Sequence, residues 1–131
     1  MSGYQTVVVG TDGSKTSLRA VDRAGEIAAR SNAKLIIATG YSRTWAARKS
    51  AAILQEASDR AKAAGAKNIE EQAIADAPVH ALVDLAERVG ADLLVVGSVG
   101  IGAIILGRLF SIPGNVSRTA KTDVLIVYTT G

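Results

Sequence analysis

Short unbroken apolar runs alternate along the chain with longer stretches in which apolar residues return every three or four positions. The first run, QTVVVG at 5–10, closes on a glycine and has the character of a strand covered on both faces. In SKTSLRAVDRAGEIAARSN, Ser14 is placed to cap a helix whose Leu18, Val21, Ala24, Gly25 and Ala28 share one stripe. Arg19, Asp22, Arg23 and Glu26 fall elsewhere on that helix. The alternation then repeats. KLIIATG (34–40) reads as a second strand, and WAARKSAAILQEASDRAKAAG (45–65) as a helix stopped by Gly65. NIEEQAIA (68–75) mixes apolar positions with adjacent glutamates, which predicts an edge strand. Asp76 and Pro78 form a cap and first turn for PVHALVDLAERVG, where Leu82, Leu85, Ala86 and Val89 recur at helical spacing. ADLLVVG (91–97) is the fourth predicted strand and DVLIVYTT (123–130) the fifth, with a helix between them from near Pro113 to about Lys121.

Strands that alternate with helices imply an α/β fold: one doubly wound domain with five mostly parallel strands, because right-handed crossovers leave few other ways to close the chain. The common order 3-2-1-4-5 would make the first and fourth strands neighbours at a switch point, where open α/β sheets bind ligands beyond the carboxyl ends of their strands. Two loops would then meet there. One is GTDGS after the first strand, and the other is GSVGIGAIILGRLFSIPGN, residues 97–115, after the fourth.

Composition agrees with this layout. The chain has 131 residues, a length that suits a single domain. Hydrophobic residues make up 48% but aromatics only 4%, so the core must come from Val, Ile, Leu and Ala. Fifteen basic residues against 12 acidic give a net charge of +3, spread without long runs, which argues against a nucleic-acid footprint. Such a mild excess still attracts a small anion. The absence of cysteine excludes disulfides, thiolate metal sites and a cysteine nucleophile. MSGYQTVVVG does not carry the basic region and long apolar segment of a secretory signal. The fifteen uncharged residues between Asp92 and Arg108 are glycine-rich and fall short of the ~18 that a bilayer span requires. A cytoplasmic protein is the expectation.

The chemistry concentrates in the two loops. Glycines let successive N–H groups line one concavity around an anion, and the N-terminus of a following helix adds partial positive charge. Gly97, Gly100, Ser111 and the helix near Pro113 supply these parts, although glycine-rich loops also serve as plain tight connections. GSKT at 13–16 is not a Walker A motif, and no G-x-G-x-x-G follows the first strand. Asp12 stands at the mouth of the expected cleft. It can close an Asx-turn or help to cap the helix, or bind the ribose or base of a ligand, or hold water around a metal. Arg43, Trp45, Arg48 and Lys49 follow the second strand, where they form a solvated helix start or place a cation near ligand phosphates. Catalytic groupings are scarce. His80, the only histidine, reads as a surface residue, and Glu70 and Glu71 alternate faces of a strand, so they cannot act as a paired acid and base.

With VVVGTDGS, ADLLVVGSVG and NVSRTAKTDVLIVYT in this order, the chain resembles the universal stress protein family from Tyr4 to Tyr128, and most of all its small mycobacterial-type nucleotide-binding members. That resemblance implies a Rossmann-like domain that binds ATP or cyclic AMP in the stress response, with Mg²⁺ carried by the ligand phosphates and at most slow ATP hydrolysis. By position, Gly10, Thr11 and Asp12 would hold the adenosine end and Gly40 would line the adenine pocket. Gly97 and Gly100 would wrap ribose and phosphates, and Ser111, with Ile112 beside it, would bond phosphate oxygens. The family motif G-x2-G-x9-G-[ST] fails at its third glycine, because position 110 is Phe. The Phe110 ring either turns into the core and leaves the amides usable, or fills the phosphate subsite. In the second case the chain is a non-binding dimeric scaffold. A second departure is that only Ser42 to Thr44 separate the second strand from the next helix, where family members often have a longer segment over the site. The resemblance also implies a homodimer through the last strand, Val124 to Thr129, whose apolar edge is independently suited to strand addition. A hydrolase built on Asp12 is a third reading, weakened by the lack of a partner base or nucleophile.

Overall fold

Three of the strands read as continuous β-branched and leucine runs because both of their faces are covered. Val7, Val8 and Val9 in β1 (Thr6–Gly10), Leu35, Ile36 and Ile37 in β2 (Lys34–Gly40), and Leu94, Val95 and Val96 in β4 (Leu93–Gly97) are all buried. The structure is a computed structural model that describes residues 3–40, 46–75, 78–97 and 122–128, except for the side chains of 46–47 and 78–81. Among these residues, β3 (Asn68–Ile74) and β5 (Asp123–Val127) complete a five-stranded sheet in the order β3-β2-β1-β4-β5, with every pairing parallel. This is the expected order and the expected direction. The helix anticipated from Pro113 to Lys121 lies outside the described residues, as does Asp76.

Alternation along the strands divides the core in two. Val7, Val9, Leu35, Ile37, Leu93 and Val95 face α1 (Lys15–Ser31) and α2 (Ala46–Ala63), meeting Leu18, Val21, Leu54 and Ala57. Val8, Ile36, Ala38, Leu94 and Val96 face the other way, onto Leu82, Leu85 and Ala86 of α3 (Pro78–Val89). Each fully buried Leu or Ile side chain contributes about 2 kcal/mol of transfer free energy. The predicted stripe of α1 is the one buried, Leu18, Val21, Ala24, Gly25 and Ala28, joined by Ala20. Asn32 ends that helix in the left-handed conformation, with its N–H bonded to the Ala28 carbonyl.

The two edges differ. On β3, Glu70 accepts from Lys34 at 2.7 Å and from Gln72 at 2.7 Å, while Glu71 accepts from the buried Ser58 hydroxyl at 2.5 Å. Lys34 comes first among the groups that hold the Glu70 carboxyl below its ordinary value. Each glutamate therefore has its own structural partner, on opposite faces as expected. On β5, Val124 to Val127 are half-buried, and Tyr128 just beyond is 77% exposed. Among the described residues no helix is long and apolar enough to cross a membrane.

Candidate functional site

Because all five strands run in the same direction, their carboxyl ends share one edge of the sheet. The register sets Gly10 beside Ala38 and Val9 beside Val95, so Gly10, Gly40 and Gly97 end three adjacent strands in the order β2-β1-β4. That is the switch point anticipated from the sequence, and the loop after β1 opens over it. Gly100, Phe110, Ser111 and Ile112 lie outside the described residues, as do Arg43, Trp45, Thr129 and the side chain of His80. Arg48 and Lys49 are exposed.

Gly10 has a reason of its own to be glycine. A Cβ there would come within 2.3 Å of Leu82 Cδ1 and 3.1 Å of its Cγ, so α3 settles directly on the bare backbone at the end of β1. The chain then turns. Thr11 is buried, and its N–H bonds to the Ala38 carbonyl at 3.0 Å, which ties the start of the loop to β2. Gly13 has φ +85°, a conformation that L side chains rarely adopt, and a Cβ there would stand 2.9 Å from Ile53 Cγ1 on α2. Residues 11–14 are therefore held from below by β2 and from one side by α2.

Hydroxyls complete the loop. The Ser14 side chain accepts the Ser17 N–H at 3.2 Å as the N-cap of α1, as its position in the sequence foretold. Gly13 N–H donates to Thr11 Oγ1 at 3.1 Å, Thr11 Oγ1 and Ser17 Oγ lie 2.8 Å apart, and Ser17 Oγ donates to the Ser14 carbonyl at 2.9 Å. Asp12 closes an Asx-turn by accepting the Ser14 N–H at 2.9 Å, one of the roles open to it from the sequence. Its side chain nevertheless remains exposed at the carboxyl edge of the sheet. Partial burial pushes the Asp12 carboxyl up, but hydrogen bonding from the Ser14 hydroxyl and N–H outweighs it and holds the group below its ordinary value of 3.8.

Such an arrangement offers an ionised carboxylate and exposed backbone beside three glycine strand ends, which suits hydrogen bonding to a polar, hydroxyl-bearing ligand. Among the described residues no cluster of His, Cys, Asp and Glu could hold a metal ion. Sequence reasoning singled out Gly10, Thr11 and Asp12 but passed over Ser17, Ile53 and Leu82, which hold them. The spacing Ser14 to Ser17, cap to third helical residue, was the available sign of the first. Ile53 and Leu82 carry no local sign, since their contacts with the loop are made across the fold.

Known proteins share both sequence and fold with this chain. The universal stress protein Rv1636 of Mycobacterium tuberculosis is 52% identical over 147 aligned positions that take in 99% of this chain and 100% of that protein. Those 147 positions exceed the 131 residues here, so at least 16 positions of that relative have no counterpart in this chain. A universal stress protein solved in complex with cAMP superposes with a TM-score of 0.79 at 65% identity, covering 98% of this chain and 100% of that one. A universal stress protein from Archaeoglobus fulgidus, 21% identical, shares the fold at a TM-score of 0.71 over 95% of this chain and 98% of its own. The model of the universal stress protein family matches residues 3–128, and with this sheet order, this loop and these relatives the chain belongs to that family.

Proposed function

We propose that this protein binds an adenine nucleotide, ATP or cyclic AMP, across the carboxyl edge of β2, β1 and β4 and acts through that binding in the stress response. The observation that carries the reading is the convergence of Gly10, Gly40 and Gly97 with the exposed Asp12 carboxylate, in a chain 65% identical to a universal stress protein solved with cAMP. In this reading Gly10, Thr11 and Asp12 take the adenosine end and Gly40 lines the adenine pocket. Gly97 and Gly100 wrap ribose and phosphates, and Ser111, beside Ile112, bonds phosphate oxygens. In this reading the protein works by binding and is at most a slow ATPase, with no base paired to Asp12 among the described residues. With ATP, Mg²⁺ arrives on the phosphates. Titration calorimetry with ATP and cyclic AMP tests the proposal: saturable heat supports it, and no heat at millimolar nucleotide with the protein folded defeats it.

Phe110 in the place of the third motif glycine favours one rival, a dimeric scaffold whose phosphate subsite is blocked. Under that rival, Phe110→Gly creates an affinity that the parent lacks. A parent that binds, with Phe110→Gly changing little, rules it out. The half-buried Val124 to Val127 on the last strand of the described sheet, with Tyr128 exposed beyond, support a homodimer through Val124 to Thr129. Sedimentation velocity reads it directly, and a monomer at micromolar concentration contradicts it. The cytoplasm is the compartment where such a ligand is available.

A further inference from the structure

Four residues of the β1–α1 turn are joined by hydroxyl protons whose directions follow from counting. Ser17 has one hydroxyl proton and donates it to the Ser14 carbonyl. In the 2.8 Å contact between Ser17 and Thr11, the donor must therefore be Thr11. With its own proton spent on Ser17, Thr11 Oγ1 is free to accept the Gly13 N–H at 3.1 Å. A single relay thus runs from the Gly13 N–H through Thr11 and Ser17 to the first turn of α1. Asp12 lies between its two anchored neighbours, with the Ser14 N–H on its Oδ1.

We propose that Ser17, which lies on α1 outside the loop, is the positioning residue for the Asp12 carboxylate, and that this relay fixes the carboxylate for the ribose hydroxyls of an adenosine ligand. The proposal rests on the nucleotide reading for its ligand and on the relay for its geometry. Thr11 is only 3% exposed, so once the Ser17 oxygen is gone its hydroxyl cannot turn to bulk water and must find another acceptor. That rotation takes the Thr11 lone pair away from the Gly13 N–H and loosens the peptide that follows Asp12. The N-cap itself survives, because Ser14 accepts the backbone N–H of residue 17 and not its side chain. Loss of the Ser17 hydroxyl is therefore a change in placement and not the loss of a helix.

Two readouts on Ser17→Ala test this, the carbon-detected NMR titration of the Asp12 carboxyl and the affinity for cyclic AMP. The expected results are a titration midpoint that rises toward the ordinary 3.8 and binding weakened about tenfold, the loss of one hydrogen bond to a charged group. Ser17→Thr, which keeps the hydroxyl, returns both to the parent values. The affinity loss disappears when Asp12 is already Asn, since Ser17 acts through that carboxylate. Thr11→Val breaks the relay from its other end and moves the Asp12 midpoint in the same direction, so the test survives if Ser17→Ala folds poorly. An unmoved Asp12 midpoint in both variants overturns the proposal, and so does an equal affinity loss on the Asp12→Asn background. If the parent binds no nucleotide while Ser17→Ala still shifts the midpoint, the relay stands and it is the nucleotide reading that fails.

Discussion

Asp12 and Asp92 stand at opposite edges of the same sheet, and they use their carboxylates differently. Asp92, which precedes β4, accepts the Gln5 N–H on Oδ2 and the Thr6 N–H on Oδ1, both at 2.9 Å, and its own N–H bonds to the Thr6 carbonyl. Tyr4 adds a 2.7 Å bond to Asp123, and the Thr122 hydroxyl reaches the Ala91 carbonyl at 3.1 Å. The amino ends of β1, β4 and β5 are thereby clasped across distant parts of the chain. Asp12 instead takes a local N–H two residues on and remains exposed. One edge spends its carboxylates on holding strands together, and the other keeps a charged oxygen within reach of solvent, which is where a ligand-binding edge must differ from a structural one.

The contrast can be broken by mutation. Asp92→Ala strands two N–H groups at the start of β1 and is expected to cost about 2 kcal/mol in chemical denaturation, with no direct effect on nucleotide affinity. Gly13→Ala forces a side chain into positive φ and against Ile53, and about 1–2 kcal/mol of destabilisation is expected. Adding Ile53→Ala should relieve only the crowding and leave the backbone strain, a partition that the same denaturation curves report. Asp12→Ala should cost below about 1 kcal/mol of stability, since it removes one exposed turn contact, while lowering cyclic AMP affinity by about tenfold or more. Asp92→Ala and Asp12→Ala thus separate folding from binding.

The smallest effect is at Tyr4. Its hydrogen bond to Asp123, followed by partial burial and the nearby Asp123 and Asp92 charges, raises the Tyr4 hydroxyl above its ordinary 10.0. A group with a raised folded value contributes stability that is fully present below pH 10 and is lost as pH rises through the folded value. Tyr4→Phe should therefore cost about 0.5 kcal/mol near neutrality and flatten the alkaline limb of thermal stability above pH 10. An unchanged limb would show that the contact does not hold in solution.

Much of this was legible in the sequence for physical reasons. Buried parallel strands need uninterrupted apolar runs, so VVV, LII and LLVV announced β1, β2 and β4, and the glutamates of β3 announced an edge. Boundaries shifted by a residue or two where side chains took over from the ladder. Ala91 and Asp92 read as strand, but the strand starts at Leu93, because Asp92 is occupied in catching the N–H groups of Gln5 and Thr6. At the site, Asp12 and its neighbours could be named from their place after a strand, while the cause of their conformation could not. Gly10 looked like a ligand-facing glycine and is also required by Leu82, a contact that forms only when α3 folds onto β1. Ser17 looked like an ordinary helix residue, since its role depends on which hydroxyl holds which proton.

The central claim is that ligand enters at the carboxyl edge. An amide NMR titration with cyclic AMP tests it most directly, because every backbone N–H reports its own position. The expected result is saturable movement of the Thr11, Asp12, Gly13, Ser14, Gly40 and Gly97 signals while those of Gln5, Thr6 and Asp92 stay still. Movement concentrated at the amino edge, or no movement at millimolar ligand, would contradict it.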